Sequence, residues 1–174
     1  MSSSLKFYLL AGKGGERYQE QLDSFVKGVQ LYSQTAEVLY GDLRCKLNLD
    51  VDAIITPGNS YGHMTGGLDK AVVEMLGGWV EREVRAKIRT DYCCELNVGD
   101  AIMVSNDISI IKNVIYAPTM RSPKKLPFGD DSPYRSVLAA LQLINRFNRD
   151  CPDEVKIRSV ILPMMGSNTG EVPY

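Results

Sequence analysis

The segment Val51-Asp-Ala-Ile-Ile-Thr-Pro-Gly-Asn-Ser-Tyr-Gly-His-Met-Thr-Gly-Gly-Leu-Asp-Lys70 constrains the fold more than any other stretch. Its apolar start, without polar alternation, reads as a strand buried on both faces, the environment of a parallel sheet covered by helices. It runs into a Gly-rich loop and then into helical spacing over Gly67–Leu76. In open α/β sheets, ligands sit beyond the carboxyl ends of such strands. Gly66 and Gly67 allow close backbone approach, and the free N–H groups of a helix start suit phosphate oxygens. Taken bare, two glycines before a helix are equally well read as an ordinary turn.

Further apolar runs bounded by turn residues predict strands at Leu5–Ala11, Ala36–Tyr40, Val51–Thr56, Ala101–Ser105, Val114–Ala117 and Ser159–Pro163. Helical spacing predicts helices at Tyr18–Tyr32, Gly67–Leu76, Trp79–Thr90 and Pro133–Asn148. This alternation specifies an α/β sheet with helices on both faces. At 174 residues the whole chain, 1–174, is expected to be a single domain. Between the last helix and the strand before it, Pro118 to Pro133 holds four prolines and is a candidate lid.

Lys and Arg number 20 against 21 Asp and Glu, without a charged tail, which argues against nucleic acid or an anionic membrane as partner. No run approaches the roughly 20 apolar residues of a membrane span, and no leader is evident at the start, so a cytoplasmic protein is expected. Cys45, Cys93, Cys94 and Cys151 lack metal-ligand spacing, His63 is the sole histidine, and reduced thiols are the expectation.

A second segment, Val160-Ile-Leu-Pro-Met-Met-Gly-Ser-Asn-Thr-Gly170, again joins a buried strand to a loop of small residues. A diphosphate held between two facing backbone nests needs no lysine, which suits a near-neutral chain. Leu9-Leu-Ala-Gly-Lys-Gly-Gly15 offers a competing dinucleotide fingerprint, but its third glycine falls on Arg17 and no acidic residue follows at a convincing strand end.

Several of these segments together resemble the macro domain family. Val51 to Asn59 resembles that family's strand ending in Asn-Ala-Ala-Asn, and Gly66-Gly-Leu-Asp69 its Gly-Gly-Val-Asp. The six residues between Asn59 and Gly66 match the spacing of its ADP-ribosyl-hydrolase branch. Tyr40-Gly-Asp-Leu43, Gly99-Asp-Ala101 and Pro163 to Gly170 resemble, in the family's order, its adenine segment, a glycine-led strand and the second phosphate loop. The resemblance implies a three-layer α/β fold with a mixed central sheet. It further implies that Asp42 accepts from the adenine amino group and that the Leu43 N–H reaches a ring nitrogen. Gly66, Gly67 and Leu68 would hold one phosphate, with Gly166, Ser167, Asn168, Thr169 and Gly170 around the other. Asn59 would bind the distal ribose, and Asn59 and Asp69 are the catalytic candidates, Asp69 positioning or activating water. No metal or cofactor is implied. An aspartate in a first helical turn is also favoured by the helix dipole alone.

The sequence departs from the family's pattern in three places. Tyr116 stands where many members have the histidine of Ile-His-Ala-Val-Gly-Pro, and is read as a bystander to turnover. Gly166 to Glu171 lacks the aromatic that lies by the distal ribose and adds a carboxylate, Glu171. After Tyr174 no segment corresponds to the family's closing C-terminal helix, so that helix is expected to be absent. The functional expectation is binding of ADP-ribose or a derivative with hydrolysis at the distal ribose, either de-ADP-ribosylation or ADP-ribose 1″-phosphate dephosphorylation. The alternative is a non-catalytic binding module, a sponge for an ADP-ribose-derived signal nucleotide in phage counter-defence.

Overall fold

A computed structural model describes residues 5–11, 23, 27, 36–43, 50–167 and 169–171. Six strands form one sheet: β1 (Lys6–Ala11), β2 (Ala36–Tyr40), β3 (Ala53–Asn59), β4 (Ile102–Ser105), β5 (Asn113–Met120) and β6 (Ser159–Pro163). Their spatial order is β2-β1-β6-β3-β5-β4, parallel throughout except for β4, which runs antiparallel to β5. The sheet is therefore mixed. Helices α1 (Gly67–Leu76) and α2 (Trp79–Asp91) follow β3, and α3 (Ser132–Asp150) follows β5. The expected Tyr18–Tyr32 helix falls outside the described residues apart from Asp23 and Lys27.

The alternation of β3 assigns its side chains to two cores. Ile54 packs with Val72 of α1 and Val80, Val84 and Ile88 of α2, whereas Ala53 and Ile55 pack with Ala140 and Ile144 of α3. Helices thus cover both faces, and Ile54 and Ile55 are fully buried, as a continuous apolar strand requires. Burying an Ile side chain contributes roughly 1.5–3 kcal/mol, so this central strand anchors the loops at its end.

Most boundaries shift by no more than two residues from the sequence expectation, and the two strand ends that run further, those of β3 and β5, both pass through a proline. β3 continues past Thr56 to Asn59 because it pairs with β6 only at Ala53 and Ile54. The Asn113 N–H bonds to Asp52 O, which sets the alternation and turns Pro57 toward the β6 side, where its missing N–H breaks no rung. β5 likewise runs through Pro118 to Met120, because its last β4 partner faces Tyr116. The expected lid is shortened accordingly to residues 121–131 between β5 and α3. Among the described residues Cys93, Cys94 and Cys151 are free thiols, and no helix is long and apolar enough to cross a membrane.

Candidate functional site

The sheet order places the segments singled out in the sequence along one edge. From β1 the chain steps outward to β2, while from β3 it proceeds the other way to β5 and β4, and β6 enters between β1 and β3. That reversal is the topological switch point at which α/β sheets bind ligands. β3 and β6 share rungs only at Ala53–Val160 and Ile54–Ile161, then part. The gap beyond is flanked by the loop from Gly58 to Gly66 on one side and by Met164 to Gly170 on the other. The two loops therefore lie side by side at adjacent strand ends.

The first loop ends at α1, whose N-cap residue Gly66 supplies no side-chain capping bond. Its first N–H groups are the ones a helix leaves without internal acceptors. Gly66 and Gly67 are exposed, Leu68 is half-buried, and a Cβ at Gly66 would meet nothing within 4 Å. In the second loop the Ser167 hydroxyl donates to Met164 O at 2.8 Å. Gly170 is required by the turn itself, since a Cβ there would lie 2.5 Å from Gly166 O. Gly166 is buried and Thr169 exposed, while Asn168 lies outside the described residues. The 121–131 connection is fastened here: Leu126 N–H donates to Gly170 O at 2.9 Å, and Lys125 pairs with Glu171 at 2.6 Å. The Glu171 carboxylate thus has a cation beside it.

Asp42 follows β2 through Gly41, whose N–H bonds back to Ala11 O at 3.0 Å. Asp42 is half-buried, and Leu43 beside it is anchored in the core at 3% exposure. Three strand spacings separate the ends of β2 and β3, about 14 Å at roughly 4.8 Å each. Asp42, the second loop and the first loop are thus spread in that order across the carboxyl edge.

Beneath the first loop is a buried polar cluster. Thr56 and Tyr116 are register partners on β3 and β5, both fully buried, and Asp69 of α1 reaches down to them. The Thr56 hydroxyl donates to Asp69 Oδ1 at 2.5 Å. Burial pushes the Asp69 carboxyl up to about 7, the Thr56 hydrogen bond opposes this, and the Glu81 carboxylate adds to it. Asp69 therefore turns inward, with only 8% of its surface exposed. Asn59 is similarly engaged: Nδ2 donates to His63 O at 2.8 Å, and Oδ1 accepts from Tyr61 N at 3.0 Å. The amide folds the 60–63 turn around itself, and His63 is exposed above it.

Sequence reasoning missed Tyr116. Its hydroxyl donates to Asn59 O at 2.7 Å and accepts from Asn59 N–H at 2.9 Å. Burial first, and then the Asp69 charge, hold the phenol well above its ordinary range, so it acts as a fixed dipole and not as an acid or base. Gly58 was also unread: a Cβ there would lie 2.1 Å from the Tyr116 hydroxyl. A groove of about 390 Å³ on the outside of α2, lined by Arg82, Arg85 and Arg89, contains none of the expected site residues. Among the described residues no group of three or more His, Cys, Asp or Glu side chains is arranged to hold a metal ion.

Solved structures share this architecture. The macrodomain of Mycobacterium tuberculosis DarG superposes with a TM-score of 0.57 at 17% identity, covering 73% of this chain and 76% of that one. The fold is that of a macro domain. An Oceanobacillus iheyensis macrodomain variant with ADPR gives a TM-score of 0.57 at 16% identity over 74% of this chain and 65% of that one. Thermosipho africanus DarTG in complex with ADP-ribose gives 0.54 at 15% over 76% of this macro domain and 33% of that chain. No family model matches the sequence. By sequence the chain belongs with an uncharacterized protein of Aquifex aeolicus, 31% identical over 125 residues, which are 72% of this chain and 67% of that protein. A second uncharacterized relative, from Aeropyrum pernix, is 30% identical over 134 residues, 76% of this chain and 61% of its own length.

Proposed function

We propose that this macro domain binds ADP-ribose, or a derivative of it, along the carboxyl edge from β2 to β3. The observation that carries the reading is the gap where β3 and β6 part, flanked by two loops whose backbone can take a diphosphate. Asp42 then receives the adenine amino group, Gly66, Gly67 and Leu68 one phosphate, and Gly166 to Gly170 the other. The distal ribose lies toward Asn59. Macro domains of the same fold that hold ADP-ribose support this reading.

Hydrolysis at the distal ribose is supported by Asp69, a buried carboxyl held at about 7 and so able to exchange a proton at neutral pH. Binding without turnover is supported by a different observation: the Asp69 and Asn59 side chains are both spent on protein partners. The expected result for Asp42→Ala is a loss of about 1.5–3 kcal/mol in ADP-ribose affinity by calorimetry, the range for a charge-assisted hydrogen bond. An unchanged affinity would remove the adenine assignment. Mass spectrometry after incubation with mono-ADP-ribosylated protein or ADP-ribose 1″-phosphate separates the two readings. Released ADP-ribose marks the hydrolase, and intact ligand marks the sponge.

A further inference from the structure

At the end of β3 the ladder is lost on the β6 side and irregular on the β5 side, where Asn59 still pairs with Met120. The rungs to β6 stop at Ile54, and the register against β5 shifts between Gly58 and Asn59. Asn59 is nevertheless 6% exposed, so its N–H and C=O are removed from most of the water that could satisfy them. One side chain 57 residues away takes both: the Tyr116 hydroxyl accepts from the N–H at 2.9 Å and donates to the C=O at 2.7 Å. The hydroxyl does this with a single atom, which is donor and acceptor at once, at the tip of a rigid ring. Gly58 gives the ring its room, since any Cβ there would overlap the phenol.

The consequences extend along the loop. Asn59 holds Tyr61 and His63 through its side chain, and its own C=O also receives the Gly62 N–H at 3.3 Å. Ser60 next to it bonds to Met120 O and Arg121 O, both at 3.1 Å. The backbone of Asn59 is therefore the point from which the first loop is hung, and the loop leads directly to Gly66 and α1.

We propose that Tyr116 is a positioning residue for the distal end of the binding site, its hydroxyl holding the Asn59 backbone where β3 has no rungs to β6. It acts through Asn59 and does not touch the ligand, being fully buried. This reverses the sequence reading, in which Tyr116 merely filled the place of a histidine. The inference rests on the ADP-ribose reading for its ligand, though not for its structural half.

The test is Tyr116→Phe, which removes one oxygen from the ring. Calorimetry well below the melting temperature is expected to show ADP-ribose bound at least tenfold more weakly, with AMP affinity unchanged, because AMP does not reach Asn59. A merely structural role would lower both or neither. Backbone amide exchange supplies a readout independent of any ligand and of the variant's folding. In the parent protein the Asn59 amide should exchange as slowly as those of Ile54 and Ile55, and in Tyr116→Phe at least tenfold faster, with the Ile54 amide unaffected. Fast parental exchange at Asn59, or equal exchange in both proteins, overturns the proposal. If the parent protein fails to bind ADP-ribose yet shows this exchange pattern, the ligand reading fails and the phenol's role in holding the loop stands.

Discussion

Gly58→Ala is expected to destabilise the protein by about 3 kcal/mol or more, the upper part of the range for overpacking a closed core. The new Cβ would sit 2.1 Å from the Tyr116 hydroxyl and 2.2 Å from the ring carbon that bears it. Neither partner can yield. The ring is fully buried, and its hydroxyl is held from two directions by the Asn59 backbone. A loss of that size is a large share of the roughly 5–15 kcal/mol that hold a domain together, and corresponds to a fall of about 6–12 °C in melting temperature. Denaturant unfolding measures it. The double variant Gly58→Ala, Tyr116→Leu should be less destabilised than the sum of the single changes, because removing the ring removes the clash. A Gly58→Ala protein as stable as the parent would show that the ring and the loop are not packed as described.

The second large effect concerns Asp69. Its carboxyl titrates near 7 in the folded protein against about 3.9 in an unfolded chain, so between those values the folded state holds the proton more tightly. Raising pH through that window therefore favours unfolding. The penalty is complete above the folded value and absent below the unfolded one, and amounts to roughly 4 kcal/mol for three pH units. Asp69→Asn keeps the shape and still offers Thr56 an acceptor, but it cannot titrate. The variant is expected to match the parent near pH 4 and exceed it by several kcal/mol at pH 8, seen as a flatter curve of unfolding free energy against pH. Parallel curves for the two proteins would mean that Asp69 is ionised and solvated in the folded state.

Much of the fold was legible because its signals are local. α1 has the bounds expected from spacing, with Gly66 and Gly77 punctuating both ends, and β6 coincides with its apolar run. The strands that ran longer than expected did so at Pro57 and Pro118, and a proline breaks a strand only where a rung is needed. Which rungs exist is decided by neighbours distant in sequence, so the chain alone did not reveal them. The candidate site divides in the same way. Its glycines, Asp42 and the strand-to-helix segments were visible as contiguous motifs, and the sheet brings their strand ends onto one edge. The Thr56–Asp69 and Tyr116–Asn59 bonds were invisible, being contacts between side chains or backbones 13 and 57 residues apart. The sequence put Asp69 in a first helical turn without saying which way it faces, and the fold turns it inward onto Thr56.

The central claim is that one ligand spans from Asp42 to the gap between β3 and β6, and a comparative calorimetric titration tests it most directly. ADP-ribose is expected to bind with micromolar affinity, about −8 kcal/mol, and AMP far more weakly, because AMP lacks the second phosphate and the distal ribose. Equal affinity for AMP and ADP-ribose, or no binding of either, would contradict it.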